Sequence, residues 1–226
     1  MNGYPRFSLI PYIAILLLLA AVPAAAAYEE LSAEFWTELE PFLTDETGPH
    51  LSREEAVRRT LEEARFVFSG MIYGFRFRYT PSDRVRQVDE IFELEPIAEI
   101  PWGDPNLFVK SSHVEENRLY VRVVYRLREF QEAWKSSWRS NTLIGAEAYG
   151  EASIYDGYRA RFEAIRAGVK TAIREHFRQV VYNKPKAISG DVVLDRQPEL
   201  GLRSAMYAAR VGIRFRTGTI LPYSVF

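Results

Sequence analysis

Cysteine is absent from the 226-residue chain, which excludes disulfide bridges, thiolate nucleophiles and cysteine-ligated zinc. Imidazole is scarce as well. His50, His113 and His176 are the only histidines, they stand far apart, and each reads as an ordinary surface or core side chain. The chain has no GxSxG elbow, SxxK pair or HExxH helix, so none of the common arrangements of nucleophile, base or metal-bound water is in place. We therefore expect no enzyme, no metal and no cofactor. An excess of one charge sign is also missing: 29 Lys and Arg stand against 30 Asp and Glu, a formal charge of -1, and no nucleic-acid partner is expected. Finally, no apolar run reaches the ~20 residues of a spanning helix.

What is present suits a folded chain, with 47% hydrophobic, 14% aromatic and 26% charged residues. Residues 1–27 hold Arg6, an apolar run over 13–22 and an alanine block over 24–27, the pattern of a Sec-type signal peptide cleaved before Ala27 or Tyr28. No cysteine follows that could carry a lipid. The expected location is the bacterial periplasm or the cell exterior, with no transmembrane span after cleavage.

Residues 28–51 read as an acidic N-terminal arm and linker, the arm helical through Leu31, Phe35, Leu39 and Phe42, and residues 52–226 as a single domain. Ser52 and Glu55 form a capping box for a helix over 53–68. The period then changes to 2, with Tyr73, Phe75, Phe77 and Tyr79 on one face and Arg76 and Arg78 on the other. An acidic strand follows within 85–94, then a hairpin over 107–114 and 119–127. A helix from Glu129 carries Phe130, Ala133 or Trp134, Ser137 and Trp138 on one side, a Gly-containing stretch covers 145–157, and a long helix covers 158–182. Strands are expected over 188–194 and 206–215. The order predicts an α+β fold, a mainly antiparallel sheet of about five to six strands with helices packed on one face. So few strands, interrupted by three helices, argue against an outer-membrane barrel.

Arginine placement carries the functional expectation. Arg76 and Arg78, Arg122 and Arg126, and Arg210 and Arg214 fall on the polar faces of three predicted strands. In one shared sheet they would stack guanidinium groups that must meet acids or an anionic partner. On the long helix Arg166, Lys170, Arg174 and Arg178 recur every four residues, opposite the apolar stripe and complementary to the acidic residues 28–63. Trp102 lies in a loop and is the expected exposed aromatic contact. Trp134 and Trp138 read as core, with a sugar-stacking platform as the other reading. Asp89, Glu90, Glu93 and Glu95 could supply a glycosidase's paired acids, although cross-strand pairing is the commoner use of such residues.

The segment Tyr149-Gly150-Glu151-Ala152, followed by a helix punctuated by Ala160, Ala164, Ala167 and Ala172, resembles the LPP20/FlgT-N group of bacterial cell-envelope domains over about residues 145–175. The resemblance implies a structural role in the envelope, flagellum-associated in some members. This chain lacks the lipidated cysteine of the lipoprotein members, which favours a soluble periplasmic protein. The leading expectation is thus a non-enzymatic exported protein that docks to an envelope or flagellar protein, or to itself. The alternative is a binding module for an anionic envelope ligand, peptidoglycan or a phosphorylated glycan, using the arginine-rich sheet face.

Overall fold

The sequence from Glu30 to Glu38 alternates burial residue by residue, and it forms strand β1 where the spacing of Leu31, Phe35 and Leu39 predicts a helical arm. A spacing of four fits a 3.6-residue turn and a two-residue pleat equally well. The intervening Ala33, buried with Leu31 and Phe35, decides for the pleat. The computed structural model describes residues 29–40, 51–140 and 142–223. The expected signal peptide, Phe42, His50 and most of the expected linker lie outside the described residues.

The chain continues as α1 (Arg53–Ile72), β2 (Phe75–Thr80), β3 (Ile91–Pro96), β4 (Leu107–Glu115), β5 (Arg118–Arg126), α2 (Glu129–Ser137), β6 (Ile144–Ser153), a short 3-10 turn, α3 (Ala160–Val180), β7 (Ala187–Leu194), β8 (Glu199–Arg203) and β9 (Met206–Leu221). This is an α+β fold. Its strands form two antiparallel sheets: three strands in the order β1-β5-β4, and six with the path β3-β2-β7-β9-β6, where β8 adds to β9. The hairpin β4-β5 therefore belongs to a different sheet from β2 and β9.

Helix α1 starts at Ser52, whose side chain accepts from the Glu55 N–H at 3.1 Å. It packs against β1 and β5 of the small sheet and β7 of the large one, with Phe68 edge-on to Phe35 at 5.7 Å. Helix α3 lies on the same inner face, against β6 and β9. That contact explains why β6 is a strand despite its glycines and alanines. A Cβ at Gly150 would lie 2.0 Å from the Gly168 nitrogen and 2.2 Å from the Ala164 carbonyl oxygen, so backbone meets backbone where β6 crosses α3. Ala160, Ala164 and Ala172 are buried along the same seam. Close packing thus accounts for the small residues of this segment on their own.

Helix α2 is turned differently from expectation. Gln131 faces inward and donates to the Tyr73 and Tyr125 hydroxyls at 2.6 and 2.7 Å, whereas Phe130 and Trp134, on the face expected inside, are 56% and 42% exposed. Only the last residue of that side, Trp138, is buried.

Candidate functional site

The most deeply buried charge belongs to a residue on the alanine-lined side of α3. Arg161 is fully enclosed, donates through Nε to Glu63 of α1 at 2.7 Å and through one terminal nitrogen to the Trp36 carbonyl, and stands 3.9 Å from Glu38 of β1. Its guanidinium lies 4.2 Å from the Trp36 ring centre and 5.3 Å from that of Tyr207. Burial alone would ease the proton off, but the Glu63 and Glu38 carboxylates outweigh it and raise the arginine above its usual value. Burial and the Glu38 carboxylate likewise push the Tyr207 hydroxyl up to about 12. The cluster is a clasp joining β1, α1, α3 and β9. Arg161, Glu63, Glu38 and Tyr207 are all buried in it.

The strand arginines do not form one surface. Arg122 and Arg126 sit on β5, in the small sheet, and pair across to Glu34 and Glu30 of β1 at 3.2 and 3.0 Å. Of the acidic segment expected to answer the long basic helix, Glu30 and Glu34 are thus taken by the neighbouring strand, while Glu38 and Glu63 meet that helix at Arg161 and not at its expected stripe. In the large sheet Arg210 pairs with Glu147, and Arg214 with Asp195 at 2.6 Å. Arg76 and Arg78 stand in register with Glu95 and Glu93 of β3, yet neither makes an ion pair or hydrogen bond among the described residues. Glu93 and Glu95 thus stand opposite arginines without bonding to them, and no cluster of three or more histidine and carboxylate side chains placed to hold a metal occurs among the described residues.

The helix stripe is also less open than its spacing predicts. Arg166, Lys170 and Arg174 lie half-buried against β3 and the turn before it: Arg166 reaches the Leu94 carbonyl, Lys170 donates to Glu90 at 3.1 Å, and Arg174 approaches Glu90 at 3.9 Å. Burial would raise the Glu90 carboxyl, but hydrogen bonds from Lys170 and Tyr79 overcome it and hold the group below the usual carboxylate range. Only Arg178 is exposed, and it pairs with Glu175 at 3.2 Å. Trp102 is 56% exposed as expected, with the Arg65 guanidinium 5.8 Å from its ring.

Two clefts bring charged and aromatic side chains together. The first, about 560 Å³, opens at the C-terminal end of α3, where Arg174, Arg178 and Lys184 surround one acid, Glu90, over a floor that includes Tyr79, Phe177 and Ile188. The Arg174 Nε is enclosed there and finds no acceptor among the described residues. On its rim Tyr182 is wholly exposed. The second cleft, about 420 Å³, lies on the outer face of the large sheet beneath the end of α2 and is lined by Arg76, Asp191, Arg216, Trp134 and Trp138. The sequence showed no sign of Lys184, Tyr182 or Arg216 as site residues, because they come together only through the end of one helix and the length of β9.

An "Uncharacterized protein" of Treponema pallidum (strain Nichols) is 26% identical over 209 residues, covering 90% of this chain and 86% of its own. No solved structure matches the chain. A protein-family model matches residues 20–223, nearly the whole chain, and the protein belongs to the family that this model defines.

Proposed function

We propose that this is an exported cell-envelope protein that acts by docking an acidic partner, not by catalysis, and that the partner seats at the basic cleft closing the C-terminal end of α3. The observation that carries this reading is the Arg174 Nε enclosed in that cleft without an acceptor among the described residues, beside Lys184, which has no carboxylate partner there, and a fully exposed Tyr182, while Arg174 and Arg178 otherwise share Glu90 and Glu175. An enclosed guanidinium nitrogen without an acceptor, an apolar floor and an exposed aromatic rim are what an acidic protein segment with one bulky side chain would satisfy. The leader-like residues 1–27 support export to the periplasm or exterior. Envelope proteins, flagellar components among them, are the partners to search first, with a second copy of this chain as the competing outcome.

The test is sedimentation of the protein in extract of its own envelope, comparing wild type with the double variant Arg178→Glu and Lys184→Glu. Docking predicts that the fast-sedimenting species disappears in the variant and weakens with added salt, since exposed charges are screened over ~8 Å at physiological ionic strength. Unchanged sedimentation of a folded variant would remove the reading. If purified protein alone gives the fast species, the partner is a second copy.

A further inference from the structure

The cleft under the end of α2 has the composition of a site for an anionic sugar, and it is independent of the docking cleft. Its walls carry two indoles. Trp134 is 42% exposed and is held by an Nε1 hydrogen bond to the Tyr73 carbonyl at 3.3 Å and an edge contact with the Tyr73 ring. Trp138 is 7% exposed, packed where a Cβ on Gly74 would come within 3.1 Å of its ring, and its indole N–H is buried without an acceptor among the described residues. Protein interiors rarely leave such a donor unmet.

The sheet beneath supplies charge. Asp191 of β7 lies between Arg76 of β2 and Arg216 of β9 in cross-strand register, and it pairs with Arg216 through two hydrogen bonds of 2.8 and 3.0 Å. Arg76 is left with an exposed guanidinium and no counterion among the described residues. Arg216 also lies 5.5 Å from the Trp138 ring centre, so charge and aromatic surface are contiguous. The residues lining the cleft are thus two arginines and one acid, with Glu95 of β3 in register on the far side of Arg76 but making no ion pair with it.

We infer that this cleft binds a pyranose carrying an anionic group. The exposed Trp134 indole offers an apolar plate for the C–H face of a sugar ring, and the planar Arg76 fork suits a carboxylate or phosphate. Asp191 can accept from ring hydroxyls, and the Thr142 hydroxyl, which also lines the cleft, can accept or donate. A simple anion would leave the aromatic wall unused, and a neutral sugar would leave Arg76 unpaired.

Three probes separate these cases: N-acetylmuramic acid, glucose 6-phosphate and the neutral N-acetylglucosamine. They would be titrated into the protein as its cell processes it, while the indole N–H resonances of its four tryptophans are followed by NMR. The inference predicts that an anionic probe moves the Trp134 and Trp138 signals and leaves Trp36 and Trp102 in place. Which anionic probe does so identifies the acidic group. N-acetylglucosamine should bind at least roughly tenfold more weakly, and Arg76→Gln should cost the anionic probe a similar factor, the loss expected for one charge-assisted hydrogen bond. Arg76 is exposed and makes no described contact, so the variant keeps its fold, and Lys110→Gln on the bulge of β4 serves as the unchanged control. No movement of Trp134 and Trp138 at about 10 mM probe, a range well above ordinary millimolar affinity, would overturn the inference. Equal binding of the neutral sugar, or an Arg76→Gln variant that binds as well as wild type, would overturn it too.

Discussion

At the scale of single residues, Arg161 is the side chain on which the sequence and the fold disagree most usefully. It stands at core spacing with Ile165, Gly168 and Ala172 on α3, where an apolar residue belongs, and that misplacement is the one signal by which it could have been found. Arg161→Ala should destabilise by ~3–5 kcal/mol in urea or thermal melts, because Glu63 and Glu38 are left charged and buried. A triple variant, Arg161→Met with Glu63→Leu and Glu38→Gln, should recover much of that loss, since a packed apolar pair can replace a buried ion pair and no carboxylate is then left buried and charged. A second residue-scale prediction concerns backbone contact. Gly150→Ala forces a methyl into α3 and should cost ~1–3 kcal/mol, whereas Gly145→Ala, with nothing within 4 Å, should leave the melting temperature nearly unchanged. Calorimetry of the pair of variants distinguishes the close crossing from a general dislike of alanine in β6.

At the scale of elements, the indoles of α2 test how that helix is turned. Trp138→Ala should cost ~3–5 kcal/mol, as a buried tryptophan does. Trp134→Ala should cost markedly less, and equal losses in chemical denaturation would contradict the placement of Trp134 at the surface. The seam between α3 and β3 has a pH signature. Glu90 is held below the ordinary glutamate value of 4.5, so the folded state binds its proton less readily than the unfolded chain. Its stabilisation is therefore complete above pH 4.5 and is lost as the pH falls through the folded-state value. Glu90→Gln should flatten that part of the stability-pH curve measured by urea melts. Much of this architecture was legible beforehand: α1, α3, β2 and the β4-β5 hairpin follow from period and capping. Strand β1 was hidden because Leu31, Phe35 and Leu39 fit two periods at once. Strand β6 was hidden because its glycines and alanines answer to the helix across from it and carry no local preference for a strand.

At the scale of the whole molecule, most of the charge that the sequence displays is spent internally. Arg122, Arg126, Arg210 and Arg214 meet acids across strands, and Lys170 and Arg174 tie α3 to Glu90. The sequence made the arginines conspicuous but not their partners, because pairing depends on which strands become neighbours, and the split into two sheets decides that. Arg76, Arg78 and the cleft cation Lys184 are among the charges without a carboxylate partner among the described residues, and Arg76 and Lys184 line clefts where a ligand or a partner could meet them. Export itself has a separate check: intact-mass analysis of protein from the periplasm should give a chain beginning at Ala27 or Tyr28, and a mass retaining residues 1–26 would contradict the proposed cleavage. The most direct test of docking is a photo-cross-linking amino acid placed at position 182, on the rim of the basic cleft, in the living cell. The account predicts a discrete adduct from position 182 that is absent from position 110 and is lost when Arg178→Glu and Lys184→Glu are added. No adduct at 182, or the same adduct from both positions, would contradict it.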